Sequence, residues 1–268
     1  MTDAKTLSSV NESRFTGKVV IVTGSSSGIG QETAVEFAKE GANLVIHGQN
    51  IDNLQYTENR IMSEATASKV VKVVGSMEDA ETPAQILNQA IQSFGRLDVL
   101  VNNAGAVVKP GGTFDSIETL EFLFKVNFKS AAQLIELALP YLKQTKGNIV
   151  NVSSCSAIRP YPDLIYYGAL KAALDHLSRT QAQIYGGMGV RVNTVNPGPV
   201  RTEIMNRHNI GGFEEWAQEQ TSLHRIALVS EISPVILFLA SEEAGYVNGA
   251  NWLVDGGACC MVPNSRFG

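Results

Sequence analysis

The amino-acid sequence predicts an α/β fold, a doubly wound parallel sheet of about seven strands with helices on both faces. Three observations carry that expectation. Seven short runs rich in Val and Ile recur along the 268 residues. They are continuously apolar, the pattern of strands covered on both faces, where a half-exposed strand would alternate. Stretches with helical spacing separate them, as right-handed crossovers between parallel strands require.

In chain order, 1–15 reads as a polar tail and 16–268 as one continuous domain. The strands are KVVIVTG (18–24), NLVIH (43–47), KVVKVVG (69–75), LDVLVNN (97–103), GNIVNVSS (147–154), VRVNTVNP (190–197) and NWLVDGG (251–257). Between them, QETAVEFAKEG stops at Gly41, and TPAQILNQAIQSFG has Pro83 at an early helical position and stops at Gly95. No Pro/Ser-rich linker, repeat or low-complexity stretch marks a second domain. The one long interruption, 202–230, holds Gly211, Gly212, Phe213, Trp216, His208 and His224. Long connections in compact domains serve as lids or carry secondary structure of their own, so a loop insertion over a site is expected there.

Composition narrows the function classes. With 44% hydrophobic and 18% charged residues the chain can build a sizeable core. Its net charge of -5 comes without a Lys/Arg run, which argues against nucleic acid as a partner. The start lacks the apolar region of a secretory signal, and no stretch approaches the roughly 18 apolar residues of a membrane span. Cys155, Cys259 and Cys260 are odd in number and include an adjacent pair, which suits a reducing compartment. The expectation is a cytoplasmic protein without membrane attachment. His47, His176, His208 and His224 are scattered, and there is no HExxH, CxxC or acidic cluster, so no metal is expected.

Two constellations carry chemistry. Directly after the first strand comes Thr23-Gly24-Ser25-Ser26-Ser27-Gly28-Ile29-Gly30, followed by a helix. Glycines there let the backbone turn tightly and approach a pyrophosphate, which the unpaired N–H groups and positive dipole end of the helix then hold. This predicts a Rossmann-type dinucleotide site. The second constellation is Tyr167 and Lys171, four residues apart in the helix-periodic segment 164–184 and therefore on one helical face. An ammonium beside a phenol favours the phenolate, so the pair is expected to draw the Tyr167 pKa from near 10 toward neutrality, where proton transfer is efficient. Tyr166 is the rival, but the residue four further on is Leu170, which offers no charge.

With these motifs in order, residues 16–258 resemble the short-chain dehydrogenase/reductase family in its single-domain branch. TGxxxGxG matches Gly24, Gly28 and Gly30, and its YxxxK matches Tyr167 and Lys171. NNAG matches Asn102, Asn103, Ala104 and Gly105 at the end of the fourth strand. Pro197 and Gly198, followed by Val200 and Thr202, resemble the turn that cradles the nicotinamide. The resemblance implies that Ser154, 13 residues before Tyr167, hydrogen-bonds the substrate oxygen. Ser153 is its rival, and since strand side chains alternate, only one of the two should reach the site. It further implies that Asn127 holds a water relay behind Lys171, and that Lys171 binds the nicotinamide ribose. The implied activity is hydride transfer between a nicotinamide dinucleotide and a carbonyl or secondary alcohol, Tyr167 giving or taking the proton.

The cofactor's 2′ position is read at the end of the second strand, where an acid selects NAD and an Arg selects NADP. Here Gly48 stands at the acid's place and Gln49 at the Arg's, with Asn50 following. Ser26, Ser27, Gln49 and Asn50 can donate hydrogen bonds to a phosphate and nothing repels it, so NADP(H) is slightly favoured over NAD(H). His47 would add charge if protonated, although a strand-end histidine is more often structural. Ser76 replaces the aspartate that relatives place on the adenine.

Val107, Val108, Ile158, Tyr161, Ile165, Met205, Phe213 and Trp216 in the variable loops suggest a medium-sized lipophilic ketone. One alternative is a 3-oxoacyl-thioester reductase, whose carrier partner would want basic surface near the mouth, where only Arg159, Arg201 and Arg207 lie. A different class, a dinucleotide sensor without turnover, leaves a phenol with a charged partner unexplained. A last strand near the C-terminus would present an open sheet edge, so a homo-oligomer is expected, a tetramer first and a dimer second.

Overall fold

The computed structural model describes residues 13–65, 67–202 and 212–261. Strands β1 (Val19–Val22), β2 (Asn43–Gly48), β3 (Val70–Val74), β4 (Val99–Asn102), β5 (Asn148–Val152), β6 (Arg191–Pro197) and β7 (Asn251–Val254) form one sheet. Their order is β3-β2-β1-β4-β5-β6-β7 and every pairing is parallel. The chain winds outward from β1 in one direction, then returns to β4 and winds outward in the other. The reversal between β1 and β4 opens a crevice at the strands' C-terminal ends, where such sheets bind ligands.

Alternate strand residues feed two cores. Val20, Val22, Leu44, Ile46, Val99 and Val101 pack under helices α1 (Gly28–Lys39) and α2 (Ile51–Glu64). Val19, Ile21, Val45, Leu100 and Ile149 pack under α3 (Thr82–Phe94) and α5 (Ser130–Thr145). The remaining helices are α4 (Ile117–Leu123), α6 (Ile165–Gly186), α7 (Phe213–Gln220) and α8 (Ser233–Ala240). Gly95 ends α3 in the left-handed conformation, as its place after the apolar period predicts.

Two expectations are corrected at the margins. Continuous burial holds for β1, β4 and β5, whereas the edge strands β3 and β7 are only partly covered, and Trp252 and Leu253 of β7 are exposed. Phe15, assigned to the tail, is buried with its ring 4.7 Å from that of Phe37, and Arg14 pairs with Glu40. An aromatic ring near the start of a chain gains more from core burial than from water, so the packed structure begins before residue 16. Of the 202–230 insertion, 203–211, with Met205, Arg207 and His208, lies outside the described residues; the rest supplies α7 and a short turn at Val229–Glu231.

Candidate active site

The phosphate-binding turn is built by close approach. Gly24 has φ +65°, and a Cβ there would lie 2.8 Å from the Ala104 Cα. A Cβ on Gly30 would overlap the Asn103 side-chain nitrogen and the Gly24 carbonyl, so any larger residue pushes α1 off the sheet. Helix α1 begins at Gly28, inside the glycine turn, and Ser27 at its N-cap makes no side-chain capping bond. Ser26, Ser27, Gly28 and Ile29 are half-buried. The first N–H groups of α1 thus await an acceptor in a glycine-lined concavity, a donor set that fits a pyrophosphate.

The NNAG loop is latched to this turn. Thr23 Oγ1 accepts from the backbone N–H of both Asn103 and Ala104, each at 3.0 Å. The Asn103 side chain donates to the carbonyls of Thr23 (2.8 Å) and Gly24 (3.1 Å), so it shapes the turn and is not free to reach a ligand. From the other side, Thr202 sits where a Cβ on Gly28 would meet its methyl at 3.2 Å. The segment before it is fixed by Gly198 N–H donating to Val254 O and by a bridge from Val200 to Ala227. Pro197 ends β6, which brings this turn round to the glycine loop.

The proton-transfer residues converge beside the same loop. Asn127 lies in a π-helical turn, Phe124–Lys129, between α4 and α5. Its amide accepts from Ala106 N–H and donates to Ala106 O, both at 2.8 Å. A Cβ on Gly105 would lie 3.2 Å from Asn127 Oδ1 and 3.6 Å from Lys171 Nζ, so the NNAG loop, Asn127 and Lys171 meet. Lys171 is buried and its ammonium donates to Val152 O at 2.8 Å, at the end of β5. The two rival serines differ in their surroundings. Ser153 is buried and its hydroxyl donates to Lys171 O at 3.2 Å, whereas Ser154 is half-buried and accepts from Ser156 N–H and Oγ.

One electrostatic expectation is overturned. The Lys171 ammonium lies 5.6 Å from the Tyr167 ring centroid. Burial pushes the Tyr167 hydroxyl up to about 12, opposed only in part by the neighbouring Ser154 hydroxyl. Burial likewise pulls Lys171 down to about 8, with Asp175 one helical turn away acting in the opposite direction. In the free protein burial is the largest influence on the phenol and favours its protonated form.

At the cofactor's 2′ end, Gly48 closes β2 with Ser26 against it: a Cβ there would lie 2.7 Å from the Ser26 Cβ and 2.8 Å from its Oγ. Asn50 caps α2 by accepting from Asn53 N–H at 2.9 Å, which leaves only its amide nitrogen for a ligand. Gln49 is exposed, and its amide reaches Ser76 Oγ at 3.5 Å. His47 is buried, donates from Nε2 to Gly75 O (3.2 Å) and accepts at Nδ1 from Gly24 N–H (3.4 Å). Burial pulls it down to about 4, so it is neutral and adds no charge. Burial raises the Cys155 thiol. Among the described residues no three His, Cys, Asp or Glu side chains gather as metal ligands.

Buried polar pairings that the sequence did not reveal complete the site. Asn196 donates to Asp175 Oδ2 (2.7 Å) and to Ser154 O (3.1 Å), tying the serine to the helix that carries Tyr167 and Lys171. Asn102, Asn151 and Ser178 form a second buried chain. The available signal was polar residues inside apolar strands, which bury only when paired.

Comparison with known proteins agrees with this architecture. A family model described as enoyl-(acyl carrier protein) reductase matches residues 24–259. The chain is 34% identical to meso-2,3-butanediol dehydrogenase of Serratia marcescens, over 91% of this chain and 96% of that protein. It is 36% identical to a 3-oxoacyl-(acyl-carrier-protein) reductase of Thermotoga maritima, over 91% and 98%. The crystal structure of L-sorbose reductase from Gluconobacter frateurii, complexed with NADPH and L-sorbose, superposes with a TM-score of 0.84 at 29% identity, covering 94% of this chain and all of that one. No described helix is long and apolar enough to cross a membrane.

Proposed function

The chain belongs to the short-chain dehydrogenase/reductase family and is a nicotinamide-dependent oxidoreductase of carbonyls and alcohols; from that premise we propose that Tyr167, Lys171, Ser154 and Asn127 are its catalytic set. The observation that carries this reading is the meeting of Lys171, Asn127 and the NNAG loop at Gly105, one helical turn from Tyr167 and beside the phosphate turn.

The dinucleotide would be held by Gly24, Ser26, Ser27, Gly28, Ile29 and Gly30 at its phosphates, and by Gln49 and Asn50 at its adenine-ribose end. Asn103, Ala104, Gly105, Pro197, Gly198, Val200 and Thr202 would border its nicotinamide half. When bound, it supplies or accepts the hydride. Ser154 then donates a hydrogen bond to the substrate oxygen and orients it toward Tyr167. Tyr167, held protonated by burial, gives its proton to that oxygen in reduction and takes it back in oxidation. Lys171 holds the ribose hydroxyls and, with dinucleotide in place, lowers the cost of a phenolate. Asn127, with both amide atoms on Ala106, keeps the NNAG loop against Lys171.

NADP(H) is slightly favoured over NAD(H), since Ser26 and Gln49 offer donors and no carboxylate occupies the end of β2. The substrate is a medium-sized, uncharged, lipophilic ketone or alcohol. That choice is supported by the aromatic rings of Tyr161, Trp216 and Phe213, which run outward from Cys155, the neighbour of Ser154. The thioester alternative draws less support, because Arg201 is paired with Glu214 and Arg159 is engaged internally. The three free thiols suit a cytoplasmic location. The exposed Trp252 and Leu253 on the open edge strand suit a homo-oligomer, a tetramer first.

The test replaces Tyr167 by Phe and, separately, Tyr166 by Phe. Tyr167→Phe should lower kcat/KM by about a thousandfold or more with NADPH affinity unchanged, while Tyr166→Phe should cost less than about tenfold. Equal losses in the two variants would overturn the assignment.

A further inference from the structure

The loop Cys155–Tyr161, which leaves the site directly after Ser154, carries a cation with an unusual set of partners. Arg159 makes no ion pair among the described residues. Its guanidinium instead donates to three oxygens: Gln220 O at 3.3 Å, Gln220 Oε1 at 2.8 Å and Ala258 O at 2.8 Å. It also lies 5.2 Å from the centroid of the Tyr161 ring. Both terminal nitrogens of the fork thus face Gln220, the last residue of α7.

Helix α7 needs what Arg159 supplies. Its last turn contains no basic residue and its final carbonyls have no partner within the helix. A guanidinium at that end satisfies a carbonyl and complements the negative end of the helix dipole. The same loop holds the other end of α7. The Tyr161 ring packs 5.7 Å from that of Trp216, which stacks at 5.3 Å on Phe213 in the first turn. Phe213 in turn lines a cavity of about 620 Å³ shared with Ser27, Gly28 and Thr202 of the phosphate-binding side. Helix α7 therefore spans from the serine loop to the dinucleotide loop. The third acceptor, Ala258, lies in a short turn that Asp255 fixes by accepting from Gly257 N–H and Cys259 N–H.

We propose that Arg159 is a positioning residue that straps lid helix α7 and the turn Ala258–Cys260 to the serine loop, so that lid placement over the substrate is set from the loop that carries Ser154. The proposal rests on the enzymatic reading above for its effect on substrate, but the strap itself is independent of it. It also assigns Arg159 a role other than anion receptor: the edge of the fork that would grip a substrate carboxylate is taken by the two Gln220 oxygens. Substrates entering under α7 are accordingly selected by the fit of the aromatic wall, without a charge on the substrate.

The experiment compares the wild-type enzyme with Arg159→Met, Arg159→Lys and Gln220→Ala by two readouts. The first is amide hydrogen exchange of residues 213–222, in the free protein and with NADPH bound. Arg159→Met should speed exchange there by about tenfold or more, Arg159→Lys should fall between, and exchange in β1, β4 and β5 should stay unchanged. The second is a panel of neutral and carboxylate-bearing ketones. Arg159→Met should raise KM for neutral ketones by about tenfold with kcat within about threefold, NADPH affinity being retained. Gln220→Ala, which leaves the backbone acceptor in place, should show both effects more weakly and serves if Arg159→Met does not fold. Unchanged exchange over 213–222 in Arg159→Met overturns the strap. A KM rise confined to carboxylate ketones, or changed exchange with KM unaltered for every ketone, overturns its role in substrate fit. Absence of turnover in the wild-type protein with every carbonyl tested would count against the enzymatic reading alone, since the exchange measurement still decides the strap.

Discussion

The end of β2 offers a sharp test, because cofactor choice there is coupled to packing in the phosphate turn. Charge alone suggests that Asp at Gly48 converts an enzyme favouring NADP(H) to one favouring NAD(H), but the structure opposes that substitution. A Cβ at Gly48 would sit 2.7 Å from the Ser26 Cβ, where an ordinary carbon contact is about 3.5–4.0 Å. Relieving roughly 1 Å of overlap means displacing either the strand end or the phosphate turn, at a cost of about 1–3 kcal/mol. Gly48→Asp and Gly48→Ala should therefore both lower Tm, by about 2–10 °C for a chain of this size. Both should weaken NADPH and NADH together. Removing the Ser26 side chain clears the space, so Ser26→Gly combined with Gly48→Asp leaves electrostatics as the main effect. A carboxylate about 5 Å from a 2′-phosphate, at an effective dielectric of about 20, is repelled by roughly 3 kcal/mol per unit of phosphate charge before salt screening. The double variant should thus swing the NADH/NADPH affinity ratio by about a hundredfold or more toward NADH, a change of about 2.7 kcal/mol. Calorimetric Kd values for both dinucleotides and thermal melts of the wild type, Ser26→Gly, Gly48→Asp, Gly48→Ala and double-variant proteins measure each part. Full NADH affinity and unchanged Tm in Gly48→Asp alone would refute the packing argument. A double variant that still favoured NADPH would place the 2′ end elsewhere.

Three further outcomes follow from burial and exposure. His47 has a folded pKa of about 4, below its ordinary 6.5, so the unfolded state binds more protons between those values. Its contribution of roughly 3 kcal/mol is complete above pH 6.5 and lost as pH falls toward 4, and His47→Asn should flatten that part of the stability profile measured by urea melts at stepped pH. Lys171 loses its charge above about pH 8 in the free protein, so dinucleotide binding at pH 9 should take up a proton and weaken as pH rises. Binding enthalpies that do not depend on buffer ionisation at pH 9 would contradict this. Light scattering should give a mass above the 28.8 kDa protomer at micromolar concentration, and Trp252→Glu on the exposed edge strand should reduce it.

What the sequence by itself determined were features of short range or fixed period. Val/Ile runs set the strands, and the five-residue frame from Tyr167 to Lys171 set one helical face, because side-chain direction follows backbone geometry within a turn. The glycine positions of the phosphate turn were legible for a similar reason, since removal of a side chain marks a close approach. Alternation reduced Ser153 and Ser154 to a choice of one. Only the tertiary structure distinguishes the two, by setting Ser153 against the Lys171 carbonyl. Tertiary packing also bears on the Tyr167 proton, because a pKa reflects the dielectric and charges brought from distant segments, and here burial is the largest influence. The same holds for Asp175 with Asn196, for Ser26 filling the space at Gly48, and for Arg159 reaching Gln220 and Ala258. Each of these joins residues 21 to 99 positions apart, a separation across which no local period carries information.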